Sequence, residues 1–129
     1  MRDDMLQQHA RNRVDELPGT ELGYPFGPDW EVFKVRGKVF MLITDITEEP
    51  IVIIKADPED SKTLREHQKD ITPGYHMNKK HWITLNPGGD LHKALVEDLV
   101  TESYLLVVEN LPRAKRPVDP EIFSDRRGL

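Results

Sequence analysis

The chain has 129 residues, a formal net charge of −5, an apolar fraction of 37% and a charged fraction of 32%. These values fit one domain with a solvated exterior, long enough to bury roughly two-thirds of its unfolded surface without covalent staples. The absence of cysteine excludes disulfides, thiolate metal sites and cysteine nucleophiles. No apolar run approaches the ~20 residues that cross a bilayer, and Met1-Arg2-Asp3-Asp4 leads into no apolar signal segment. A cytoplasmic monomer with no membrane contact is expected. Its acidity requires that any polyanion be met by a local cationic patch.

In chain order, Leu6, Ala10, Val14 and Leu17 recur at helical spacing, and Pro18-Gly19 ends that first helix. Tyr24-Pro25-Phe26-Gly27-Pro28 cannot be regular structure and is expected to pack on the core as a stiff connector. Three strand-like runs follow. Trp30 to Val35 alternates, Val39 to Ile43 is apolar on both faces, and Ile51 to Ile54 is β-branched. Arg36-Gly37-Lys38 reads as a tight hairpin turn, and the short connections imply an antiparallel meander.

Asp57-Pro58-Glu59-Asp60 starts a second helix, with an N-cap carboxylate, a first-position proline and acids at the positive dipole end. It runs to about Gln68 with few apolar residues, which puts it on the surface. A short extended piece from Ile71, a turn around Asn78 and a strand ending at Leu85 come next. Asp90 is expected to cap the last helix, whose broad apolar face includes Leu91, Leu95, Leu99 and Leu106. Asn110 and Pro112 end it. The chain is thus expected to form an α+β domain over residues 1–112, with a single antiparallel sheet, helices packed on one face and the other face partly open. Residues 113–129, with Pro117, Pro120 and several charges but little to bury, are expected to be mobile.

No phosphate-loop, nucleophile-elbow or His-Glu-x-x-His motif occurs. Gly88-Gly89 falls between a strand and a helix, where a phosphate could bind, but without a longer glycine pattern it reads as a plain turn. The histidines lack clustered partners, so no metal and no cofactor is expected. The informative segment runs from Arg65 to Trp82. It gathers lysines, histidines, Tyr75 and Trp82 in an otherwise acidic chain. Cations attract phosphates and aromatic rings stack on bases. The same residues could equally be a solvated turn with aromatics in the core.

The run Pro73-Gly74-Tyr75-His76-Met77-Asn78-Lys79-Lys80-His81-Trp82 closely resembles the signature of the MmcQ/YjbR family. Leu17-Pro18-Gly19, Tyr24-Pro25-Phe26-Gly27, Phe33-Lys34-Val35, Gly37-Lys38, Lys55-Ala56-Asp57-Pro58, Glu102-Ser103-Tyr104 and Leu111-Pro112 match in order, so the resemblance covers about residues 2 to 116. It implies a frataxin-like (CyaY-like) fold and a non-catalytic, DNA-binding role through a double-wing arrangement of hairpins, with no catalytic residue or cofactor. On that reading the DNA-contacting positions are Tyr75, His76, Asn78, Lys79, Lys80 and Trp82. The two wing tips are Arg36-Gly37-Lys38 and Asn78-Lys79-Lys80. The alternatives are a small-ligand- or protein-binding module on the same surface and, below it, frataxin-like iron binding. Iron would need an acidic ridge, and the first helix interleaves Asp3, Asp4, Asp15 and Glu16 with Arg2, Arg11 and Arg13.

Overall fold

A computed structural model describes residues 3–123. Helix α1 (Asp3–Val14) is followed by strands β1 (Thr20–Gly23), β2 (Trp30–Val35), β3 (Lys38–Thr44) and β4 (Ile51–Lys55). Then come α2 (Pro58–His67), β5 (Ile71–Pro73), β6 (Trp82–Leu85), α3 (Lys93–Glu109) and a 3-10 turn at Arg113–Lys115. The strands form one antiparallel sheet in the order β1-β2-β3-β4-β6-β5. The protein is therefore an α+β domain built on a single six-stranded sheet.

The meander over β2, β3 and β4 follows from its two short turns. At the first, Arg36 and Gly37 both have positive φ (50° and 82°), the geometry that matches the twist of a two-residue hairpin. Pairing passes from Phe33↔Met41 to Lys34↔Val39, so Phe40 is an extra residue. That bulge turns Phe40 inward beside Met41, and both are fully buried in the main core. Helices α1 and α3 supply the rest of that core, with Leu6, Ala10, Val96, Val100 and Tyr104 meeting Phe33, Val35, Ile43, Val52, Ile54 and Ile83.

Two buried polar groups lock the helices to the sheet. The Ser103 hydroxyl donates to the Phe40 carbonyl at 2.6 Å and accepts the Lys55 N–H at 2.8 Å. A bulge and the end of a strand leave backbone groups without ladder partners, and one hydroxyl on α3 satisfies both. The Gln7 amide likewise donates to the carbonyls of Thr44 and Ile51 and to the Asp45 carboxylate.

Several expectations need correction. The segment after Pro18-Gly19 pairs as β1 on the β2 edge, a strand too short and polar to be legible. The aromatic connector does not pack on the core: Tyr24 is 53% and Phe26 66% exposed. Asp90 does not cap α3, which begins two residues later with His92 at its N-cap and no side-chain cap bond. The backbone N–H of Asp90 instead donates to the Asp70 carboxylate. Apart from these corrections, within the described part of the tail Arg36 donates to the Lys115 carbonyl and Arg116 to those of Glu109 and Leu111, while Val118 and Phe123 pack against the core. Its last six residues, 124–129, lie outside the described ones, as do Arg2 and the side chains of Asp3 and Asp4.

Tyr104 is fully buried, and its hydroxyl donates to the Pro18 carbonyl at 2.5 Å. Burial pushes its phenol up to about 12, against an opposing pull from Arg36. The unfolded phenol ionises near 10, so the favourable difference is fully present below that pH and is lost as pH rises toward 12. Wild-type stability should therefore fall by up to about 2–3 kcal/mol across this window. Tyr104→Phe should be less stable at neutral pH by about 1 kcal/mol and show a smaller alkaline decline in urea unfolding. An equal decline in both proteins would assign the loss to other groups.

Candidate functional site

The face of the sheet away from the helices is apolar at its centre, where Val32, Leu42, Ile51, Ile53 and Trp82 form a second buried cluster. No helix covers it. Its cover is the connection from β5 to β6, whose Tyr75 and Met77, with Trp30, pack over these residues. Tyr75 stacks on Trp30 at a centroid distance of 6.4 Å and an interplanar angle of 13°, and His76 leans on Tyr75 at 4.2 Å.

Gly74 permits this fold-over. A Cβ there would lie 2.6 Å from the Trp82 Cβ, and its N–H donates to the Trp82 carbonyl at 2.9 Å. The Thr84 hydroxyl accepts the Tyr75 N–H and donates to the Pro73 carbonyl. The Lys79 ammonium donates to the Gly74 carbonyl, and the Asn78 side chain accepts the Lys80 N–H. His76 has φ +59°, a left-handed turn within the same connection.

These contacts separate the candidate residues. Trp82 is 8% exposed and belongs to the second core; the strand alternation placed it on the far face, but the loop hides it. Tyr75 is half-buried beneath the same loop. His76, Asn78, Lys79 and Lys80 are exposed. One of the three Lys79 donors holds the loop, while the Lys80 ammonium makes no hydrogen bond among the described residues. Arg36 and Lys38 are exposed at the other turn, with Arg36 tethered to the Lys115 carbonyl. The connection 74–81 folds down on the sheet and does not project from it.

The register brings these residues to one end. Val35↔Lys38, Lys34↔Val39 and Lys55↔Trp82 all lie at the end defined by the β2–β3 turn, because Met41 pairs with Ile54 and Ile54 with Ile83. Sequence reasoning had not selected Lys34 and Lys55. Strand alternation could place each on a face, but Lys55 meets Trp82 only because β6 returns beside β4. The Lys55 ammonium sits 5.9 Å from the centroid of the Trp82 ring.

Charge is segregated along the strands. Lys34, Arg36, Lys38, Lys55, Lys79 and Lys80 occupy the hairpin end, and among the described residues none of them forms an ion pair. The opposite end carries Asp29, Asp45, Glu48, Glu49, Asp70 and Asp90. There Arg11 is paired with Glu31 at 2.6 Å and Lys69 with Asp90 at 3.6 Å. Of the acids near the hairpin end, Glu21 stands opposite Lys34 on β1, and Asp57, Glu59 and Asp60 open α2, which packs through Leu64 on the helix-covered core.

Two other places can be assessed. At Gly88-Gly89, where a phosphate was considered, the Asp70 carboxylate already lies 2.5 Å from where a Gly88 Cβ would stand. An anion is thus built in, and the plain-turn reading fits. Among the described residues no three His, Asp or Glu side chains converge as metal ligands would. A cleft of about 230 Å³ between α2 and α3 is floored by Ala56, Leu64, Leu99 and Leu106 and rimmed by Lys55, Asp57, Asp60 and Glu102. No described helix is long and apolar enough to cross a membrane.

The geometry defines a small one-sheet α+β domain with a cationic sheet end and a folded-over signature loop. The chain belongs to the YjbR family, whose model matches residues 15–106. It is 44% identical over 108 residues to the uncharacterized protein YbdF of Escherichia coli O157:H7, covering 84% of this chain and 88% of that one. It is 34% identical over 90 residues to the uncharacterized protein YjbR of E. coli K12, covering 68% and 76%. Among solved structures, a Deinococcus radiodurans protein with the domain name DUF419 superposes with a TM-score of 0.76 at 34% identity, covering 92% of this chain and 85% of that one. A Pseudomonas syringae protein follows at 0.65 and 30%, covering 82% and 98%.

Gly74→Ala should force the 74–81 loop off Trp82, costing about 1–3 kcal/mol as overpacking does. Urea unfolding measures the cost, and faster amide exchange at Tyr75 should accompany it. Wild-type stability and exchange in the variant would refute the close approach.

Proposed function

We propose that this chain is a non-catalytic nucleic-acid-binding domain that engages phosphates with the hairpin end of its sheet. One observation carries the reading: the six cations gathered there form no ion pair among the described residues, with Glu21 beside Lys34 the one carboxylate in the strand register at that end, while Arg11 and Lys69 near the opposite end are ion-paired. Unpaired lysines at a surface are available to displace counterions from a phosphate backbone. Segregation also answers the objection from net charge, because the local field at this end is set by neighbouring charges within about one Debye length, ~8–10 Å. Lys34, Lys55 and Lys80 would contact phosphates, joined by Arg36 and Lys38 at the turn. With Trp82 buried, its role is to seat Lys55 and not to stack on a base.

The apolar cleft between α2 and α3 favours a second reading, small-ligand binding, at a place separate from the cationic end.

Binding to duplex DNA across a salt series tests the first reading. Lys34→Ala/Lys55→Ala/Lys80→Ala should lower the slope of log affinity against log salt by about 0.9 per lost contact. Lys62→Ala/Lys93→Ala, on the helices, should leave the slope unchanged. Thermal unfolding of each variant separates lost affinity from lost fold. Absence of binding by the wild type at low salt would overturn the nucleic-acid reading.

A further inference from the structure

The chain beyond α3 is held by two arginines. Arg116 donates to the carbonyls of Glu109 and Leu111 at 2.7 and 2.9 Å, satisfying acceptors that the end of a helix leaves without partners. Arg36 donates through Nε to the Lys115 carbonyl at 3.1 Å. Pro117 packs on Gly19, where a Cβ would stand 3.0 Å from the Pro117 Cβ, and the Phe123 ring lies 6.2 Å from that of Tyr104. These contacts fix the 3-10 turn Arg113–Lys115 against the hairpin end, with Lys115 beside Arg36.

We propose that Lys115 is a further phosphate contact, and that the nucleic acid lies across the end of the sheet and not flat on its far face; this rests on the nucleic-acid reading above. Lys115 is exposed, and its ammonium makes no hydrogen bond or ion pair among the described residues. Arg36 and Arg116 donate here to neutral carbonyls, so their positive charges are not cancelled. The acids of this stretch, Glu109, Asp119 and Glu121, line a cleft together with Arg113 and Arg116, and Lys115 does not border it. It is the cation of the turn that stands apart from them.

The orientation of the ligand follows from where the cations stand. Phe33, Val35 and Ile54 belong to the helix-covered core, so strand alternation sends Lys34 and Lys55 to the far face, where Lys55 rests over Trp82. Lys115 is on the other side of the sheet, because Val118 and Phe123, just beyond it, pack against the helix-covered core. Cations therefore flank the hairpin end from both sides, with Arg36 and Lys38 at the turn between them. A ligand lying flat on the far face would meet the folded-down loop with Tyr75 and Met77, and would be out of reach of Lys115. A phosphate backbone crossing the end can touch both flanks.

Single charges are compared in the full chain, on duplex DNA across a salt series. Lys115→Ala should lower the slope of log affinity against log salt by about 0.9, and Lys115→Arg should keep the wild-type slope. Lys62→Ala, which removes the same charge from α2, should leave the slope unchanged. The turn is tethered through the Lys115 carbonyl and not its side chain, so all three variants should unfold at the wild-type temperature. A wild-type slope for Lys115→Ala, where Lys34→Ala/Lys55→Ala/Lys80→Ala does lose slope, overturns the inference and confines the ligand to the far-face cations. Equal losses at positions 115 and 62 overturn it too, as a response to total charge alone. A wild type that binds no duplex at low salt removes the nucleic-acid reading itself, and this contact with it.

Discussion

A side chain at residue 74 is excluded by the Trp82 Cβ, 2.6 Å from where a Gly74 Cβ would stand. This contact decides how the far side of the sheet is closed. The helices bury only one face, yet Val32, Leu42, Ile51 and Ile53 leave the other face just as apolar. With no second helical layer, eight residues of loop must serve as cover, and they can do so only if the chain reverses tightly over β6. Glycine allows the reversal, Thr84 satisfies the backbone on either side of it, and Lys79 ties it shut from within. The run from Pro73 to Trp82 is therefore in large part a folding device. Its lysines and histidines are displayed because its Tyr, Met and Trp are not.

How much of this was legible in the sequence depended on the range of the interaction. Helix α2 was readable because its start is local: Asp57 accepts the Glu59 N–H as an N-cap should, and Pro58 follows it. The hairpin at Arg36-Gly37 was readable for the same reason. β1 was not, since four residues with one apolar side chain carry no periodicity and owe their strand form to pairing with β2. The exposure of Tyr24 and Phe26 was misread because aromatic content usually signals burial, and only the edge position explains otherwise. Lys34 and Lys55 are separated by twenty-one residues of chain, and nothing short of the β4–β6 pairing brings Lys55 against Trp82.

Charge segregation along strands has a simple origin in this topology. In an antiparallel meander, alternate turns fall at opposite ends, so a basic first turn and an acidic second one polarise the whole sheet. Here the first is Arg36-Gly37 and the second, residues 45–50, contains Asp45, Glu48 and Glu49. The crossover through α2 then returns β6 with its own basic connection at the first end. A net charge of −5 describes the sum and conceals this arrangement.

The chain holds two tryptophans, Trp30 and Trp82. Both belong to the far-face cluster, one stacked on Tyr75 and the other beneath the Lys55 ammonium. Intrinsic indole emission from this protein is consequently a view of a single face. Rearrangement of the helices would be nearly silent to it, whereas any lifting of the loop or withdrawal of Lys55 would alter the colour and yield of the light directly.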